Sequence, residues 1–95
     1  MRMICLAAEP AAAFQPRPNA MIENLETLIA LSKTGTMMEA STALRISQSA
    51  VSKRIAALER YYDRDLIERH GRRVVLTHHG TRLEERVTPL LSELR

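Results

Sequence analysis

Residues 40–59 read Ala40-Ser41-Thr42-Ala43-Leu44-Arg45-Ile46-Ser47-Gln48-Ser49-Ala50-Val51-Ser52-Lys53-Arg54-Ile55-Ala56-Ala57-Leu58-Glu59, and their pattern decides the fold. Ser47 is a good N-cap, because its hydroxyl can accept a bond from an orphan amide two or three residues on. A helix over 47–62 follows. At about 100° per residue, Val51, Ile55, Leu58 and Tyr62 fall on one narrow stripe. Ser49, Lys53, Ala56 and Arg60 fall opposite it, with Gln48 and Ser52 on the flank between. The outward surface has no bulky apolar residue and is dominated by short or hydrogen-bonding side chains. A helix face that merely meets water carries many Glu and Lys residues; this one suits close approach to another surface.

Upstream, Thr36-Met37-Met38-Glu39 has the spacing of a capping box, in which the hydroxyl serves one orphan amide and the carboxylate reaches back to another. It opens a short helix with Met37, Ala40, Ala43 and Leu44 inward, closing near Arg45. Before it, Ile22, Leu25, Leu28 and Ile29 recur at three- and four-residue spacing, the mark of an amphipathic helix, with Gly35 as its stop. Downstream, Leu66-Ile67-Glu68-Arg69 and Val74-Val75-Leu76 flank the turn residues His70-Gly71-Arg72-Arg73, a hairpin signal. Thr77 caps a last helix with Leu83, Val87, Leu90, Leu91 and Leu94 on one face, which Pro89 is expected to kink or split. The fold class is mainly α, a winged helix-turn-helix: a three-helix core, a two-stranded β-wing and a C-terminal linker helix. Residues 1–20 hold Pro10, Pro16, Pro18 and the run Ala11-Ala12-Ala13, without helical periodicity. They read as a disordered leader, with Met21 as the functional start. The winged domain is expected over 21–77 and the linker helix over 78–95.

Two short helices joined by a tight turn and followed by a basic hairpin make a DNA-reading tool. The second helix enters the major groove and shows its N-terminal residues to base edges. Ser47, Gln48, Ser49 and Ser52 can bond bases or phosphates, and Lys53 can do either. Arg54 lies on the other flank, placed for a phosphate. Arg69 and Arg72, with Arg73 beside them, could reach a neighbouring backbone or minor groove from the wing. The chain has 95 residues and a formal net charge of +3. Between Arg45 and Arg73 stand eight basic residues against the four acids Glu59, Asp63, Asp65 and Glu68, so the surplus sits where a phosphate-facing surface is expected.

These residues also resemble a family. The pattern Ala-Ala-x-x-Leu, then Ser-Gln-small-small-apolar-Ser-basic, then Leu-Glu, is similar to the signature of LysR-type transcriptional regulators. The likeness continues through Leu66-Ile67-Glu68-Arg69 and Val75-Leu76-Thr77-x-x-Gly80, and covers about residues 21–83. Ser41, Tyr62, Asp63 and Ile67 depart from it, standing where the family usually has Ala, Leu, Gly and often Phe. The resemblance implies double-stranded DNA as partner, transcription regulation as function and a homodimer through the linker helix. It also implies, in full-length members, a C-terminal domain for a small-molecule effector, which is absent from this chain ending at Arg95.

Other classes fit poorly. Cys5 is the only cysteine, so no disulfide framework exists and a cytoplasmic setting is expected. No apolar run approaches the length of a membrane span, and the apolar start ends at Glu9-Pro10, too early for a signal peptide. Phe14, Tyr61 and Tyr62 are too few for a single-strand stacking platform. His70, His78 and His79 have no acid or Cys partner at ligand spacing, so no metal and no cofactor are expected. No serine stands in a triad-like context, so no catalytic residue is expected and the chain is not read as an enzyme. The alternative is a winged-helix interaction module that dimerises and binds DNA weakly or not at all.

Overall fold

Pro18 opens the first helix of the computed structural model, which describes residues 18–94. Helix α1 spans Pro18–Thr34, α2 Met37–Leu44 and α3 Gln48–Tyr62; strands β1 and β2 are Ile67–His70 and Arg73–Leu76; α4 is His78–Leu94. The winged helix-turn-helix architecture is as expected. The first helix starts three residues before the expected boundary at Met21. Proline is at home at a first helical position, where its missing N–H is one the helix leaves unpaired anyway. The leader over 1–17 lies outside the described residues.

Helix α1 is the centre of the packing. Leu25, Leu28 and Leu31 are buried along it, and Ile22 and Ile29 pack on the same core. It ends at Gly35, which takes a left-handed conformation (φ 86°) while its N–H bonds the Leu31 carbonyl at 2.8 Å. Thr36 then caps α2, its Oγ1 accepting from the Glu39 N–H at 3.0 Å. Within α2 the buried residues are Met37, Ala40 and Ser41. Ala43, expected inward, is exposed. Positions 37, 40, 41 and 44 make the i, i+3, i+4, i+7 set of one helix face, and 43 falls off it. Ser41 tolerates burial because its hydroxyl donates to the Met38 carbonyl at 2.7 Å.

Arg45 closes α2 in the left-handed region (φ 61°), and Ser47 caps α3 by accepting from the Ala50 N–H at 3.0 Å. Val51, Ile55 and Leu58 of α3 are fully or almost fully buried. Tyr62, expected on the same stripe, is 37% exposed. It is the last residue of α3, beyond the reach of the core, and meets Tyr61 edge-on at 4.9 Å. Partial burial, and then Tyr61, raise its phenol above the usual tyrosine pKa.

The wing is an antiparallel pair with Ile67 opposite Leu76 and His70 opposite Arg73. It is fastened at three places. The Glu59 Oε2 accepts from the Leu66 and Ile67 N–H groups at 2.9 and 3.4 Å. The Val74 N–H donates to the Gly35 carbonyl at 2.8 Å, and a β-bridge joins Thr36 to Arg73. Thr77 donates its N–H to the Leu66 carbonyl and its hydroxyl to Asp65, while accepting from the Gly80 N–H. Gly80 is buried so tightly that a Cβ there would overlap the Leu66 carbonyl oxygen.

Pro89 lies inside α4, which runs unbroken over His78–Leu94. One expectation for this helix is corrected. The apolar stripe, expected to be free for a partner, is divided. Val87 and Leu91 belong to the chain's own core, with Leu83 packed against them, whereas Leu90 is 59% exposed. Helix α1 covers the Val87–Leu91 side of α4 and leaves Leu90, about 100° round from Leu91, outside the contact.

Candidate nucleic-acid interface

The first turn of α2, the first turns of α3 and the wing enclose an open cleft of about 630 Å³. Its joint is the tie between Gly35–Thr36 and β2, which sets the hairpin beside the two helix starts. Of the residues expected to act, Gln48, Ser49 and Ser52 line the helix side, and Arg69 and Arg72 line the wing side. They meet only in three dimensions, since at least 17 positions separate the two groups in the chain.

The two arginines are available. Strand alternation puts Arg69 on one face of β1 and Glu68 with His70 on the other. Glu68 pairs with His70, its Oε1 lying 3.3 Å from Nε2, and leaves Arg69 alone. Among the described residues neither Arg69 nor Arg72 has a carboxylate partner. Ser52 is half-buried, with its hydroxyl 4.0 Å from the Met37 sulfur. Gln48 and Ser49 are exposed at the start of α3, where the helix leaves its first amides unpaired.

The other expected residues stand apart from the cleft. Ser47 spends its hydroxyl on the Ala50 amide and lies 3.1 Å from the Ser49 hydroxyl, so its first task is capping. Lys53 is exposed further along α3, outside the cleft wall. Arg54 is engaged elsewhere in this structure. It turns away to α1, where Nη1 donates to the Thr27 hydroxyl at 3.3 Å and Nη2 lies 3.8 Å from Glu23. The Thr27 oxygen is fully buried and already donates to the Glu23 carbonyl, so Arg54 supplies the donor that its acceptor side requires. That pairing spans 27 residues and no local pattern announces it.

Three residues take places at the cleft that their sequence signals do not give. Arg73 lays its guanidinium against Gly35, where a Cβ would come 2.7 Å from Nη2, and so packs the joint of the cleft. Met38 and Glu39 line the cleft beside Gln48, and Met38 is 59% exposed. The Thr36-x-x-Glu39 spacing was read as a capping box, yet only the threonine half forms. The Glu39 carboxylate makes no hydrogen bond or ion pair among the described residues.

Elsewhere, the described residues hold no group of three or more His, Cys, Asp or Glu side chains placed to bind a metal ion. None of their helices is long and apolar enough to cross a membrane.

Comparison with known proteins fits this geometry. Residues 22–81 match the profile of the bacterial regulatory helix-turn-helix proteins of the lysR family. An uncharacterized HTH-type transcriptional regulator of Vibrio cholerae is 45% identical over 74 residues, covering 78% of this chain and 26% of the relative. An HTH-type regulator of Azotobacter vinelandii is 44% identical over 73 residues, covering 77% of this chain and 51% of the relative. The chain thus spans a quarter to a half of the length of these relatives. Among solved structures, the CbnR DBD–DNA complex superposes with a TM-score of 0.73 at 29% identity, covering 77% of this chain and 84% of that one. The full-length regulator LysG of Corynebacterium glutamicum gives 0.71 at 33% identity, covering 77% and 25%.

Proposed function

The chain belongs to the lysR family of bacterial regulatory helix-turn-helix proteins and carries that family's DNA-binding domain, and from this premise we propose how it reads DNA. Helix α3 enters the major groove of double-stranded DNA by its N-terminal end. Gln48 and Ser49 meet base edges, Ser52 and Lys53 support them from further along, and Arg69 and Arg72 hold the phosphate backbone from the wing. The chain works by binding in the cytoplasm, with no catalytic step. The observation that carries this reading is the convergence of Gln48 and Ser49 with two unpaired arginines in one open cleft. Neutral amide and hydroxyl groups discriminate bases, whereas arginines meet phosphates of any sequence.

Two such units form a two-fold dimer through the outward side of α4, around Leu90, and place their recognition helices in successive major grooves roughly 34–36 Å apart. An exposed leucine on a helix whose other side is core supports this use of the helix. Replacing Leu90 with Glu is expected to leave the chain folded and to weaken its association in light scattering. The same change at Val87 is expected to unfold it, because that side chain is core.

The test of the DNA reading is selection of bound sequences from random duplexes, followed by titration of the best site at several salt concentrations. Affinity is expected to fall linearly in log–log form as salt rises, because phosphate contacts release counterions. A chain that associates with itself but shows no salt-dependent duplex binding would instead be an interaction module.

A further inference from the structure

We propose that Glu39 selects cytosine, accepting a hydrogen bond from its exocyclic amino group at one position of the site; this deepens the reading of the cleft as a DNA interface and rests on it. Glu39 lies in the first turn of α2 and lines the cleft beside Gln48 and Ser49. Its backbone N–H is held by the Thr36 hydroxyl, so its starting point is fixed. Its carboxylate is uncommitted. It makes no return bond to the cap, and it pairs with neither Arg69 nor Arg72 although both line the same cleft.

A carboxylate in such a place has a definite chemistry. Near phosphates it is repelled, although the start of α2 favours an acid in its first turn. An ionised carboxylate only accepts hydrogen bonds. In the major groove, guanine offers two acceptors and thymine one acceptor and a methyl group; both leave a carboxylate without a partner. Adenine offers an amino donor beside the N7 acceptor, and cytosine offers its amino donor without an adjacent acceptor. Glu39 therefore favours cytosine, tolerates adenine and rejects guanine and thymine. Gln48, which donates and accepts at once, suits adenine instead.

Selection from random duplexes with the full chain, with Glu39→Gln and with Glu39→Ala tests this, once circular dichroism shows all three folded. The unaltered chain is expected to show one position where cytosine is preferred, and replacing it by thymine is expected to weaken binding about ten-fold. Glu39→Gln is expected to move that preference to adenine, because an amide pairs with the N6 and N7 edge. Glu39→Ala is expected to level it, with the other positions unchanged. If both variants keep the same base preferences while binding every duplex more tightly, Glu39 only repels phosphates and the assignment is overturned. If the unaltered chain binds no duplex at all, the interface reading itself fails, and this inference with it.

Discussion

The two walls of the cleft are built differently. On the helix wall, α3 is anchored by Val51, Ile55 and Leu58, all deep in the core, and presents the neutral polar groups of Gln48, Ser49 and Ser52. The wing wall is a two-stranded hairpin whose buried anchors are Leu66 and Val74, and it presents arginines. An isolated hairpin of four-residue strands is marginal in water, so the wing depends on its ties to Gly35, Glu59 and Thr77. Rigid placement suits base reading, which needs a fixed hydrogen-bond geometry. A backbone contact tolerates a looser arm. On the proposed reading, base recognition and backbone holding are separable functions of one cleft, and each can be attacked alone.

The largest effect is expected where the wing meets the body. Gly80→Ala puts a methyl group into the Leu66 carbonyl, a backbone atom that cannot turn aside. Overpacking of this kind costs about 1–3 kcal/mol. A fall in the urea midpoint should accompany a loss of the wing's share of DNA affinity. An unaltered midpoint would mean that α4 and the wing slide apart easily, and that the wing wall is not held as described.

Next is Gln48→Ala, which removes a reading group. On the preferred site it is expected to cost about 1–3 kcal/mol and to relax base preference at one position. Equal weakening on specific and random duplexes would make Gln48 a positioning residue and would erase the contrast between the walls. Arg72→Ala is the counterpart. It is expected to weaken all sequences alike and to make the salt slope shallower by about one unit; a sequence-dependent loss would show the wing reading bases as well.

The helix wall was legible in the sequence because its signals are local. Ser47 as cap, the Val51–Ile55–Leu58 stripe and the hydrogen-bonding outer surface all follow from periodicity within one helix. The wing's existence was legible for the same reason, from its turn residues and strand-forming runs. What was not legible is of another kind. Arg54 stands among the polar groups of α3, but its partner Thr27 is 27 residues away. Leu83, Val87, Leu90, Leu91 and Leu94 form one broad stripe on paper, and which side α1 covers depends on tertiary packing. Glu39 fitted a local motif, the capping box, and the motif concealed a carboxylate free to act in the cleft. Periodicity tells which face of an element is buried; it does not tell what a polar side chain faces once elements from distant parts of the chain meet.

The smallest effect expected is also the control for the other three. Asp63 ends α3 in the left-handed region, with φ 56°. That conformation crowds the Cβ of an L-residue against the following carbonyl oxygen, a strain of roughly 1–2 kcal/mol that aspartate relieves only in part. Glycine has no Cβ, but it loses more backbone freedom on folding, by roughly 0.5–1 kcal/mol. The balance favours Asp63→Gly by about 0.5 kcal/mol or a little more. The substitution lies at the far end of α3 from Gln48, a helix of 15 residues and so about 20 Å along its axis. Thermal or urea unfolding should therefore show a slightly more stable chain whose duplex affinity, base preference and salt slope are unchanged. Binding that rises with stability would mean that the walls of the cleft are not preformed, and that DNA binding draws on folding of the whole domain. Losses seen in the Gly80, Gln48 and Arg72 variants would then need correction for stability before any of them could be assigned to reading or to holding.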